Sequence, residues 1–227
     1  MNTIELFSGT ASFSKVAKEY GHEIWRVDNG TKFEVDYFAD VRKLPDSIPC
    51  DVLWASPPCE AFSVASIGRN WKGDKFKREP KSASATLGLE LLEKTALIIS
   101  VSKPTYWFIE NPRGMMRKVI NDVFRKYGIR DVARHTVSYC QYGDTRMKPT
   151  DIWTNFKEWR PRPMCRNGDT CHVRAPRGSK TGTQGLKNAT DRGVIPPAIF
   201  HEVFRAIGKE SLRGKASAVH DSTEGLK

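Results

Sequence analysis

The sequence predicts an α/β fold: a mostly parallel sheet with helices on both faces, followed by a small irregular region. Three observations carry that expectation. Short apolar runs alternate with helix-like segments over the first two thirds of the 227 residues, and such alternation buries a parallel sheet between helix layers. The hydrophobic content of 39% suffices for one core. No run reaches the roughly 18 apolar residues of a membrane span, and no repeat interrupts the pattern.

In chain order, Thr3–Leu6, Glu23–Val27, Val52–Ala55, Tyr106–Glu110 and Arg134–Ser138 are expected as strands. Phe13–Tyr20, Ser84–Ser102 and Met115–Tyr127 are expected as helices, with Leu87, Leu91, Ile98 and Val101 at roughly helical spacing in the second. Ser56–Pro80 is a long loop bearing Arg69, Lys72, Lys75, Lys77 and Arg78 against Glu60, Asp74 and Glu79. Loops of that length in compact domains are functional or disordered. Asn155–Arg192 lacks periodicity and holds nine Lys/Arg against three acids. Ile199, Phe200, Val203, Phe204 and Ile207 form one face of a closing helix. The organisation expected is a catalytic domain over 1–154, a small recognition region over 155–190, a closing helix over 191–210 and a disordered tail over 211–227.

Lys and Arg number 37 against 26 acids, a net charge of +11. That excess favours a polyanionic partner, because neutralising phosphates releases condensed counterions; a merely soluble basic surface is the alternative. The five cysteines (50, 59, 140, 165 and 171) form no even disulfide framework. The opening run Thr3–Phe7 lacks the charged and apolar regions of a signal peptide. A cytoplasmic protein with reduced thiols and no membrane partner is expected.

Ligands of parallel sheets bind beyond the carboxyl ends of the strands, so the loops there hold the candidate site. Phe7, Ser8, Gly9, Thr10, Ala11 and Ser12 follow the first strand and open a helix, where small residues let backbone approach a cofactor. Asp28 ends the second strand, 19 residues past Gly9, the spacing at which an acid accepts ribose hydroxyls. The full dinucleotide glycine pattern is absent, so a tight turn with a solvated Asp explains these residues as well. After the third strand, Pro57 and Pro58 fix the backbone just before Cys59. Its thiol is a candidate nucleophile if basic neighbours stabilise the thiolate, and otherwise a structural cysteine in a stiff turn. Glu110 stands at the matching edge of the next strand, where apolar surroundings would raise its pKa and let it hold a proton. A thiolate and a protonated carboxyl on one rim suit addition to an electron-poor ring.

Phe7-Ser8-Gly9, Pro57-Pro58-Cys59-Glu60-Ala61-Phe62-Ser63 and Glu110-Asn111-Pro112, in this order, resemble the motifs of the DNA cytosine-C5 methyltransferases. Asp40 in Ala39-Asp40-Val41 matches the acid that bonds the cofactor's adenine amine in that family. Tyr142-Gly143 with Arg146 and Lys148 resembles its basic motif, and Arg192-Gly193-Val194-Ile195-Pro196 its closing motif. The resemblance runs from about residue 3 to 208. It implies a Rossmann-like S-adenosylmethionine-dependent methyltransferase fold and a monomer acting on double-stranded DNA in a bacterial or phage-infected cell. It also implies a cofactor site of Phe7, Ser8, Gly9, Thr10, Ala11, Asp28, Asp40 and Pro57. Cys59 would attack C6 of a flipped cytosine while Glu110 protonates N3. Ser63, Arg69, Lys72 and Lys75 in the long loop, and Arg166, Arg174, Arg177 and Lys180 in the recognition region, would contact DNA.

Two departures stand out. Ala11 and Ser12 replace family glycines in the first loop. The family's Gln-x-Arg-x-Arg aligns by position with Arg146, Lys148 and Thr150, so the final arginine is missing and Arg146 or Lys148 is expected to take its contact to the base. Alternatives from the same residues are a tRNA cytosine methyltransferase, a silent nucleic-acid binder, or transfer of another group to cytosine C5. Cys165, Cys171 and His172 offer three local ligands where zinc wants four. Loop cysteines beside a DNA-facing histidine are therefore expected and no metal is assigned, a fourth ligand requiring a distant residue such as Cys140.

Overall fold

The structure, a computed structural model, describes residues 1–74, 78–166, 168–174, 186 and 188–224, with backbone alone for 189 and 213–224. The elements in chain order are β1 (Asn2–Leu6), α1 (Ser12–Glu19), β2 (Glu23–Asp28), β3 (Tyr37–Phe38) and β4 (Val52–Ala55). Then come α2 (Ile67–Asn70), β5 (Trp71–Gly73), β6 (Arg78–Pro80), α3 (Ala83–Ser102) and β7 (Tyr106–Pro112). The chain closes with α4 (Met116–Lys126), β8 (Ala133–Ser138), β9 (Pro149–Thr154), α5 (Ala189–Gly193) and α6 (Pro197–Glu224).

Seven strands form one sheet in the order β3-β2-β1-β4-β7-β9-β8. Pairing is parallel from β3 to β7, and β9 runs antiparallel between β7 and β8. The order reverses between β1 and β4, which opens a crevice at their carboxyl ends. The central strands are buried on both faces, as a parallel sheet between helices must be. Successive side chains alternate: Leu53, Ala55, Trp107 and Ile109 pack under α3 and α4, while Val52, Trp54, Tyr106 and Phe108 pack under α1 and α6. In the second layer Phe13 stacks on Trp54 with centroids 5.0 Å apart and on Phe204 at 5.2 Å. Those contacts fix α6 against α1.

The helix starts are set by different means. Ser82 caps α3, its hydroxyl accepting the Ala85 amide at 3.2 Å. At α1 the cap position is Ala11, left-handed at φ 54° and with no side-chain oxygen to offer. Glu5, buried in β1, accepts the Phe13 and Ser14 amides at 3.3 and 3.0 Å instead. Burial raises its carboxyl to about 7 despite those bonds.

Several expectations change. The strand β9 was not foreseen: it carries Thr150, Asp151 and Thr154, all fully buried, and this polarity hides the strand pattern. Asp151 is held by Arg117 and by the Thr136 hydroxyl at 2.8 Å. Leu87 and Val101 are exposed, and the buried face of α3 runs through Gly88, Leu91, Leu92, Thr95, Ala96 and Ile99. The long loop contains α2 and an antiparallel β5–β6 pair. In the irregular region the backbone makes the short helix α5. Helix α6 continues to Glu224, past residue 210 where the closing helix was expected to stop. No proline interrupts the segment beyond residue 210, so nothing in the backbone stops a helix nucleated by the packed part of α6.

Candidate active site

The loop after β1 meets the turn after β4 at the point where the strand order reverses. Phe7, Gly9 and Ala11 all have positive φ (58°, 46° and 54°), so the chain doubles back tightly before α1. The Gly9 amide donates to Asp28 Oδ2 at 2.9 Å and the Gly30 amide to Asp28 Oδ1 at 2.6 Å, which ties the ends of β1 and β2 together. Ser8 is buried and its hydroxyl has no partner. Asp40 caps the turn Val41–Lys43 and pairs with Arg42 at 2.6 Å, which holds its carboxyl below the ordinary range. Arg42 is shared with Glu90 at 2.8 Å.

Cys59 begins a short 3-10 turn, Cys59–Ala61, with Pro58 extended before it. The turn is gripped from four directions. Asn111 Nδ2 donates to the Pro57 carbonyl at 2.8 Å, and Asn70 Nδ2 to that of Glu60 at 3.1 Å. Trp71 Nε1 donates to Ala61 at 2.7 Å, and the Met115 amide to Phe62 at 2.8 Å. The last contact needs Gly114, because a Cβ there would sit 2.3 Å from the Phe62 carbonyl oxygen. Thus β5 and β7, far apart in sequence, both brace the turn that carries Cys59.

Glu110 lies near the end of β7 and is 5% exposed. It accepts the Tyr139 hydroxyl at 3.2 Å. Burial holds its carboxyl above the ordinary range, against the opposing pull of Lys148 and of hydrogen bonds from Ser56 and Tyr139. The protein around the Cys59 thiol pushes its pKa up, Lys148 opposes, and Glu110 reinforces the rise. Lys148 is itself lowered by burial, with Glu110 and Cys59 acting the other way. Its Nζ donates to the Arg192 carbonyl at 2.7 Å and lies 4.8 Å from the Tyr139 ring centre. One ammonium therefore serves both the acid and the thiol.

Arg146 does not share this role. It is 4% exposed, and each guanidinium nitrogen is engaged. Nε donates to Asp144 at 2.9 Å, Nη1 to the Asp191 and Arg192 carbonyls at 3.0 and 3.2 Å, and Nη2 to Val194 at 3.1 Å as well as to Asp144. Its donors clamp the closing segment. Ile195 completes that junction, its amide donating to Ser12 Oγ at 3.3 Å.

Among the expected DNA contacts, Arg69, Lys72, Arg166 and Arg174 are exposed and Ser63 is half-buried. Lys72 reaches Glu79 at 3.4 Å across the β5–β6 pair. Lys75, Arg177 and Lys180 lie outside the described residues. Sequence reasoning missed Tyr139 and Glu5. Tyr139 sits just past a strand end at the site's edge, and Glu5 is the single acid in an apolar strand.

The sheet order and the tight loop at its reversal point are those of the Rossmann-like methyltransferase fold, and the buried Ser8 hydroxyl without a partner is a polar atom that a cofactor seated in the first loop would satisfy. The family model of the C-5 cytosine-specific DNA methylases matches residues 1–128. Over 224 residues the chain is 31% identical to a probable DNA (cytosine-5)-methyltransferase of Frog virus 3 (isolate Goorha), covering 90% of this chain and 99% of that one. The chain belongs to the C-5 cytosine-specific DNA methylase family, a family of methyl-transferring enzymes. Its fold is similar to that of the S. pombe Dnmt2 methyltransferase, with a TM-score of 0.50 and 15% identity over 71% of this chain and 52% of that one. The Entamoeba histolytica methyltransferase EhMeth gives a TM-score of 0.49 at 15% identity, over 72% and 56%. The chain spans about half the length of these solved structures.

Proposed function

We propose that the chain methylates C5 of cytosine in double-stranded DNA, with S-adenosylmethionine as donor and Cys59 as covalent nucleophile. The observation that carries this reading is the meeting of Cys59, Glu110 and Lys148 at one strand edge beside the loop after β1. Phe7, Ser8, Gly9, Thr10, Ala11, Asp28, Asp40 and Pro57 would hold the cofactor, which supplies an electrophilic methyl group. Cys59 gives its proton to solvent with Lys148 stabilising the thiolate, and the sulfur adds to C6. Glu110 delivers a proton to N3 as that bond forms, so the ring's electrons collect at C5. A C5–methyl bond would form there as the donor's sulfonium–methyl bond breaks, its electrons staying on the donor sulfur and leaving S-adenosylhomocysteine. C5 then loses its proton to solvent, the S–C6 bond breaks, and the N3 proton returns to Glu110.

Lys148 takes the base-carbonyl contact that Thr150 cannot make in the final arginine's slot. Because C5 and C6 are shielded in a duplex, the base leaves the stack. Arg69 and Lys72, exposed beside the Asn70 and Trp71 that pin this loop to the Cys59 turn, would meet phosphates. Each base pair read requires positioned side chains, so the compact region 155–190 suits a short or degenerate target; a methylome with a strict six-base-pair site would refute that.

The test is transfer of labelled methyl to duplex DNA, with tRNA in parallel and wild type beside Cys59→Ser. Transfer to DNA that disappears in Cys59→Ser supports the reading. Transfer to tRNA alone would replace the substrate, and no transfer to either would leave a binding protein.

A further inference from the structure

The segment after β9 contains a cluster that the methyl-transfer chemistry does not use. Cys140, in the turn after β8, is brought to Cys165, Cys171 and His172, and one ligand atom from each lies within 4.8 Å of all the others. Cys140 Sγ is 3.1 Å from Cys165 Sγ and 3.6 Å from Cys171 Sγ. His172 Nδ1 is 3.8 Å from Cys165 Sγ and 3.6 Å from Cys171 Sγ. Sulfur pairs at these separations are not disulfides, whose bond is about 2.05 Å. The Cys140–Cys171 pair is close to the edge of a tetrahedron around zinc, about 3.8 Å between sulfurs when Zn–S is about 2.3 Å, and the Cys140–Cys165 pair is shorter and would open on binding. The fold thus supplies the fourth ligand that local sequence lacks.

We propose that Cys140, Cys165, Cys171 and His172 form a structural zinc site that anchors the recognition segment to the catalytic domain. Three sulfurs and one imidazole nitrogen are the donor set of closed tetrahedral zinc, with no position left for water. Cys140 and Cys165 are 7% and 6% exposed, and beyond the buried Phe156 and Trp159 the segment has little core of its own: among the described residues 160–174 Cys165 alone is buried, and Met164 and Val173 are exposed. Hydrogen bonds run alongside the cluster, the Cys165 amide to Ser138 Oγ at 3.3 Å and the Val173 amide to the Thr145 carbonyl at 2.9 Å. A segment with so small a core needs a metal or covalent staple to hold it, and metal binding then becomes folding free energy. The anchor lies one residue from Tyr139, the hydrogen-bond donor to Glu110.

The experiment measures metal on purified full-length protein by mass spectrometry after dialysis against a weak chelator. About one zinc per chain is expected, retained in Cys50→Ser and lost in Cys171→Ala. Should Cys171→Ala fail to fold, zinc release from wild type by a mercurial reagent is followed instead, together with cobalt exchange. Stoichiometric release, with the thiolate-to-metal and d–d absorption of tetrahedral cobalt, supports the site. Metal-free wild type that takes up neither zinc nor cobalt, or a Cys140–Cys165 disulfide found by peptide mapping, overturns it.

Discussion

The Asn111 amide donates to the Pro57 carbonyl at 2.8 Å, joining the strand that carries Glu110 to the turn that carries Cys59. Asn111 is 1% exposed, so this bond operates away from water. The spacing of Cys59 and Glu110 is therefore a property of the scaffold and is set before any base arrives.

Asn111→Ala leaves the buried Pro57 carbonyl unpaired. A stability loss of about 1–3 kcal/mol is expected in urea titrations. Single-turnover methyl transfer should fall about a hundredfold, as small misplacements of reacting groups do, with the KM for S-adenosylmethionine little changed.

Lys148 and Arg146 should separate cleanly. Lys148→Met is expected to abolish turnover while moving stability by about 1 kcal/mol or less. Arg146→Met strands Asp144 and the Asp191 and Val194 carbonyls, that of Arg192 keeping Lys148, and a loss of about 3–5 kcal/mol is expected. Denaturation and methyl-transfer measurements on both variants check this. Equal stability losses would contradict the division of roles.

Alkylation of Cys59 against pH reads the electrostatics of the rim directly. Lys148 lowers the thiol's pKa and Glu110 raises it. The alkylation midpoint should move to higher pH in Lys148→Met and to lower pH in Glu110→Gln, scored by peptide mass spectrometry in a Cys50→Ser background.

Glu5 links stability to pH. Its carboxyl goes from an ordinary 4.5 to about 7 on folding, chiefly through burial. A raised folded pKa contributes stability that is full below pH 4.5 and lost as pH rises through 7. Wild-type stability should decline across that window by about 3 kcal/mol at most, and Glu5→Gln should flatten the decline.

The sheet's centre was legible because interior parallel strands are near-continuous apolar runs: Val52–Ala55 is entirely buried. The strand β9 was not, because Asp151 and two threonines are buried by pairing with Arg117 and with one another's neighbours, a cancellation visible only in three dimensions. Cys59 and Glu110 were legible from local motifs beside strand ends. The partners of Arg146 were not legible, because a motif slot fixes where a backbone sits and leaves open which acceptors its side chain finds. Cys140 joins its partners across 25 residues, a separation that local spacing rules do not span.

The contacts between residues 138–145 and the segment beyond β9 bear on any exchange of that segment between relatives. The Arg162 amide donates to the Tyr142 hydroxyl at 2.8 Å, Arg162 Nη1 to the Gln141 carbonyl at 2.6 Å, and Val173 pairs with Thr145. A chimaera cut at Thr154 would import half of an interface and leave the other half behind. The transplantable cassette is discontinuous: residues 138–145 must travel with the segment they hold, while Lys148 and β9 stay with the host.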